Sequence, residues 1–188
     1  MKIVVLGLST SSTRNRYSAT YCGLVRELDA RGHEVLVLER GLSNGASTSR
    51  ARKSKYGQLS PYRSIADLKR LYSRSVRDAH VVIVGPFVAN GAEVGRWVTR
   101  TAKGVTAFCD VDTHVTLAKL ERGDAEYLTR ALIPKYDLYL SFNGGPTVER
   151  MHDEFQSPMA RELNGSPPYR AAQLERFVAE AMTGQLMA

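Results

Sequence analysis

The sequence predicts an α/β fold: a Rossmann-like, doubly wound parallel sheet, strand order about 3-2-1-4-5, with helices on both faces. Three observations predict it. Five short runs are continuously apolar, as strands buried on both faces of a parallel sheet must be. Segments with apolar residues at helical spacing lie between them. Glycine, serine or proline marks most of the joints. Right-handed crossovers then leave the doubly wound arrangement, whose ligands bind beyond the carboxyl ends of the strands, where the winding reverses.

The elements follow in order. Lys2–Gly7 (Lys-Ile-Val-Val-Leu-Gly) is strand one. Ser18–Arg31 carries Tyr21, Leu24, Val25 and Leu28 on one helical face and stops at Arg31-Gly32-His33. Glu34–Glu39 is strand two, and Gly41–Pro61 reads as loop throughout. Ser64–Arg77 is a helix with Ser64 as N-cap and Asp67 three residues on. His80–Gly85, with Val-Val-Ile-Val, is strand three. Ala92–Ala102 is a helix ending before Gly104, and Val105–Cys109 is strand four. Val115–Leu120 and Asp124–Leu132 read as short helical pieces, and Asp137–Ser141 as strand five. Pro146–Phe155 is a helix opened by Gly144-Gly145-Pro146. Glu162–Tyr169 reads as a linker, and Arg170–Met182 as an amphipathic helix that packs back on the sheet.

One domain suffices for 188 residues, and that length buries a core without staples. The apolar share of 43% and the charged share of 24% are ordinary for a globular chain. No run reaches the roughly 18 apolar residues of a membrane span. The apolar N-terminal run is short and lacks a small-residue cleavage site, so it reads as a strand and the expected compartment is the cytoplasm. Cys22 and Cys109 have neither CxxC spacing nor a companion set, and read as small core hydrophobes. The net charge of +7 is densest at Arg50, Arg52, Lys53 and Lys55. Little aromatic interleaving and no nucleic-acid module pattern accompany it, so nucleic acid is not an expected partner.

Three loops hold the candidate site. After strand one, Ser9, Thr10, Ser11 and Thr13 offer hydroxyls beside a helix N-terminus, suited to a phosphate or a sugar hydroxyl. Gly7 stands alone there, so the dinucleotide fingerprint is missing, and Glu39 reads as a strand end before it reads as a ribose ligand. After strand four come Asp110, Asp112, Thr113 and His114, whose two carboxylates and histidine suit acid–base work or a divalent metal, though Asp-x-Asp alone is unspecific. Capping of the next helix and ligand contact are equally open to Asp112. After strand five, Asn143, Gly144 and Gly145 form a turn that also admits a ligand close to the backbone. No two histidines have metal-ligand spacing, and there is no nucleophile elbow and no phosphate loop. No metal and no cofactor is expected.

Several runs, in order, resemble the N-terminal half of bacterial GT-B glycosyltransferases of the CgeB-like type. They are Met1-Lys2-Ile3-Val4-Val5-Leu6-Gly7-Leu8-Ser9, Gly23-Leu24-Val25-Arg26-Glu27-Leu28 with Arg31-Gly32-His33-Glu34-Val35, Asp112-Thr113-His114-Val115-Thr116-Leu117, Tyr136-Asp137-Leu138-Tyr139-Leu140-Ser141-Phe142, and Gly144-Gly145-Pro146. The resemblance covers roughly residues 1–160, about one domain. It implies an acceptor-binding domain over 1–160, with 161–188 a linker and a C-terminal helix. The donor nucleotide-sugar would sit on a second domain that these residues do not include. Two departures matter. Where the family's first loop runs Gly-Asn-Gly-His, this chain has Arg14-Asn15-Arg16-Tyr17, and Tyr17, titrating near 10, is a poor base at neutral pH. His114 stands where the family tends to have proline.

Two readings stand first. In one, the chain is the acceptor half of a glycosyltransferase, inactive alone and completed by a donor-domain partner chain or a homodimer. Asp110, Asp112 and His114 are then its acid–base groups, and Ser9, Thr10, Ser11, Thr13, Tyr17, Thr113, Asn143, Gly144 and Gly145 hold a small-molecule acceptor. In the other, it is a non-catalytic descendant that binds a sugar, a nucleotide or a protein, with Arg14, Arg16 and the basic loop favouring an anion. A stand-alone nucleotide-binding or flavodoxin-like module is the third, disfavoured by the missing phosphate-binding motifs.

Overall fold

The computed structural model describes residues 1–7, 18–41, 52–54 and 57–187. Ser9, Thr10, Ser11, Thr13 and Tyr17, with Arg14, Arg16, Arg50 and Lys55, lie outside the described residues.

Among the described residues eight strands form one sheet. They are β1 (Lys2–Leu6), β2 (Glu34–Arg40), β3 (Arg52–Ser54), β4 (Gly57–Tyr62), β5 (Val81–Val84), β6 (Val105–Asp110), β7 (Leu138–Ser141) and β8 (Ala160–Glu162). The order is β3-β4-β2-β1-β5-β6-β7-β8. Seven strands are parallel, and β3 pairs antiparallel with β4 at one edge. Counted along the parallel strands, the observed order begins 3-2-1-4-5, as expected.

The third place is held by β4, however, within the segment read as loop. Val81–Val84 is therefore the fourth parallel strand and lies beside β1. Polar residues and Pro61 hide β4 in the sequence. Among the described residues β3 pairs with Gly57, Gln58 and Leu59 of β4, and Pro61 lies beyond that pairing, as proline in a sheet requires. β8 is a strand the sequence does not predict; it is three residues long, with Ala160 beside Tyr139, and only Glu162 of it falls in the segment that reads as linker. Asp124–Leu132 is a chain of turns and not a helix. Gly123 ends the preceding helix at φ +74, and Tyr127, Leu128 and Leu132 anchor the turns in the core.

Among the described residues six helices cover the sheet: α1 (Ser18–Ala30), α2 (Ile65–Arg77), α3 (Gly91–Thr101), α4 (Thr113–Glu121), α5 (Pro146–Asp153) and α6 (Pro167–Met187). Ser64 caps α2 as expected, accepting from the Asp67 N–H at 3.1 Å. Because strand side chains alternate, Val4 and Leu6 meet Leu68, Val94, Val98 and Met151 on one face. Ile3 and Val5 meet Leu24, Leu28, Leu174 and Phe177 on the other. Helices α2 to α5 thus cover the first face, and α1 with α6 the second. Helix α6 is several residues longer than the periodicity predicted, starting at the Pro167-Pro168 pair that suits a first turn.

Candidate functional site at the carboxyl edge

The winding reverses between β1 and β5, so the crevice opens at their carboxyl ends. Gly7 closes β1 at φ +85, a conformation natural to glycine, and a side chain there would meet Val88 Cγ2 at 2.6 Å. The Gly85 N–H donates to the Leu6 carbonyl at 2.9 Å, tying the two strand ends together. The Tyr21 hydroxyl, from the start of α1, donates to the Cys109 carbonyl beneath the crevice.

Asp110 ends β6 and is 1% exposed. The Asp112 N–H donates to its Oδ1 at 3.1 Å and the Tyr139 hydroxyl donates to its Oδ2. Burial pushes its carboxyl above the usual range, opposed by hydrogen bonds from Thr116 and Tyr139. Burial likewise pushes the Cys109 thiol to about 12, so this free cysteine is no nucleophile at neutral pH. Cys22, in no disulfide, is half-buried.

Asp112 caps α4, accepting from the Val115 N–H at 3.4 Å. His114 is exposed on the first turn of that helix. Thr113 is buried, its hydroxyl 2.6 Å from that of Ser141, and its N–H donates to Asn143 Oδ1 at 3.0 Å. The loops after β6 and β7 are thereby clamped together. Gly145 opens α5 at φ +67. Gly144 lies under the Glu162 carboxylate, which a Cβ at this position would meet at 2.2 Å. The sequence-predicted residues 110, 112, 113, 114, 143, 144 and 145 therefore lie on two adjoining loops of one edge.

No family model matches the chain, and no curated protein matches it in sequence. In fold it is similar to a sucrose-phosphate synthase. That solved chain, "Sucrose-phosphate synthase (tll1590)" from Thermosynechococcus elongatus in a piece labelled 27_220_406_426, is one of 11 that match. The TM-score is 0.61 at 11% identity, and the match covers 100% of both chains. The likeness is one of fold, and it includes α6.

Four edge residues escaped the sequence reading of the site. Tyr21 stands edge-on to Phe142, with centroids 5.9 Å apart, and to Phe87 at 6.5 Å. Phe87 is 41% exposed and Phe142 half-buried. The Arg170 guanidinium, arriving from α6, stacks over Phe142 at 4.8 Å with its Nε buried and unpartnered. No local pattern marks Arg170, which reaches the site because α6 returns to the sheet. Phe87 had one: it follows the fully apolar Val81–Val84, and was passed over because β4 went uncounted. Among the described residues no group of three or more His, Cys, Asp or Glu is placed to hold a metal, and no helix is long and apolar enough to cross a membrane.

Proposed function

We propose that the chain is a glycosyltransferase-like domain of GT-B type, the acceptor-binding half of an enzyme that moves a sugar from a nucleotide-sugar to an acceptor hydroxyl. The observation that carries this reading is the carboxyl edge itself. Phe87 and Phe142 present an aromatic surface at the same sheet edge that carries the polar groups of Asn143, Asp112 and His114. Apolar faces joined to a few convergent polar groups are what a sugar ring needs. The fold likeness to a sucrose-phosphate synthase and the sequence resemblance point the same way.

In the proposed reaction the acceptor oxygen attacks the anomeric carbon of the donor sugar. The bond from that carbon to the nucleoside diphosphate breaks, and the hydroxyl proton passes to a base. Asp112 and His114 are the groups proposed to take it. Asp110, buried and bonded at both oxygens, positions the loop that presents them. Thr113, Asn143, Gly144 and Gly145, with Ser9, Thr10, Ser11, Thr13 and Tyr17, would hold the acceptor. A second domain, a partner chain or a second copy would supply the donor, and the cytoplasm, where nucleotide-sugars are made, suits the reading.

Unfolding temperature measured against saccharides and nucleotide-sugars, with and without magnesium, tests this. A ligand at 100 times its dissociation constant stabilises by about 2.7 kcal/mol, an easily seen shift. The expected result is a shift with a saccharide acceptor that Phe142→Ala abolishes. In a complex completed by a donor domain, Asp112→Asn should lower turnover by about 100-fold or more. Saccharide binding with undiminished turnover in that variant would remove Asp112 from the base role. Binding with no turnover in any completed complex would favour the non-catalytic descendant, a reading suggested by the burial of Asp110. No binding of either ligand class would overturn both.

A further inference from the structure

The second half of α3 and the chain running from Thr129 toward β7 enclose a groove of about 500 Å³. That is the size of a small-ligand site. It is lined by Arg96, Arg100 and Lys135, together with Thr99, Thr129 and the buried Leu132. No carboxylate lines it. Several cations elsewhere on the same face of the sheet are paired with carboxylates: Lys69 with Glu93, Lys119 with Glu126, and Arg150 with Glu121 and Glu154. Among the described residues Arg96, Arg100 and Lys135 form no ion pair with a carboxylate.

The placement costs stability. Like charges one helical turn apart, as at Arg96 and Arg100, repel by a few tenths of a kcal/mol. Two guanidinium groups one helical turn apart and an ammonium lining the same groove supply the charged N–H donors that a phosphate oxygen set accepts. Helix α3 leaves the carboxyl end of β5 and returns to the amino end of β6, so its second half lies toward the amino edge, as does Lys135 just before β7. The groove is thus a separate feature from the carboxyl-edge site.

We propose that this groove binds the phosphate of a phosphorylated ligand. The phosphate is either free in solution or part of a lipid headgroup, and the chemistry of recognition is the same for both.

Calorimetric titration with inorganic phosphate and pyrophosphate at constant ionic strength, and sedimentation with vesicles of phosphatidic acid in phosphatidylcholine, test this. The intact chain is compared with the double variant Arg96→Gln/Arg100→Gln. Saturable binding of pyrophosphate, weakened at least tenfold in the double variant, is the expected result and identifies a soluble phosphate. Sedimentation with phosphatidic acid vesicles, but not with phosphatidylcholine alone, lost in the double variant, supports the proposal with a lipid source. The double variant should melt no lower than the parent without anion, since only repulsion is removed. Pyrophosphate binding that survives the double variant but is lost in Arg170→Gln would place the anion at the carboxyl edge and overturn the proposal. So would the absence of saturable binding to either probe.

Discussion

At the end of β6, burial drives Asp110 toward its neutral form while Thr116, Tyr139 and the Asp112 N–H draw it toward the carboxylate. Burial prevails, so the folded-state pKa lies above that of an unfolded aspartate, about 3.9. The sign of the consequence follows from proton counting. Between those two values the folded state binds more protons than the unfolded one, so stability falls as pH rises through the interval. Below the unfolded value both states are protonated and the penalty is absent; above the folded value it is complete. Asp110→Asn removes the titration while keeping the shape. Urea unfolding of both proteins from pH 4 to 8 should therefore show the parent losing stability relative to the variant as pH rises, then levelling. A difference that stays flat would mean that the carboxyl titrates normally and that Asp110 is solvated. The same burial explains its assignment to loop positioning: a group held inside the protein presents Asp112 and His114 and does not itself reach an acceptor.

Close packing between elements separates glycines that are needed from glycines that are tolerated. Gly104 precedes β6, and a Cβ there would sit 2.4 Å from the Ala79 and His80 carbonyl oxygens. Both are backbone atoms with little freedom to withdraw. Gly104→Ala should cost on the order of 2–3 kcal/mol, as overpacking does. At Gly144 the three atoms nearest a Cβ belong to the Glu162 carboxylate, the far end of a flexible side chain, so Gly144→Ala should cost under about 1 kcal/mol. Denaturant midpoints of the two variants decide it; equal losses would mean that the start of β6 is soft. Element by element, the sequence was readable wherever one physical signal dominated. The strands β1, β2, β5, β6 and β7 are apolar on both faces, and α2 announces itself with Ser64 and Asp67. β4 was not readable, because its contacts come from β2 and β3 and its composition, with Pro61, argues against a strand. The polar half of the site was legible, since Asp112, Thr113 and Asn143 sit at strand ends. The aromatic half was not: Tyr21, Phe142 and Arg170 meet only through contacts distant in sequence, which no local pattern encodes.

Across the whole molecule, α6 belongs to the sheet and is no appendage. Ala171, Leu174, Phe177, Val178 and Ala181 share a core with Ile3, Val5, Leu24 and Leu28. Its outer side is tied as well: Glu175 accepts from Arg31 at 3.1 Å and lies 2.7 Å from His33 Nε2. These two residues belong to the Arg-Gly-His run that opens β2, so the last helix is fastened to one of the first joints of the fold. The energies decide what its removal does. Leu174 is fully buried, and Leu174→Ala alone should cost about 2–5 kcal/mol. A domain of this size is stable by only about 5–15 kcal/mol, and α6 contributes several side chains of that kind. A chain ended after Asn164 should therefore lose cooperative unfolding and expose an apolar face that binds a hydrophobic dye, whereas Leu174→Ala should still unfold cooperatively at a lower urea midpoint. If the shortened chain unfolds cooperatively near the parent's midpoint, the sheet is self-sufficient without α6. Arg170 then stands over Phe142 by virtue of a detachable arm, and the carboxyl-edge site must be argued without it.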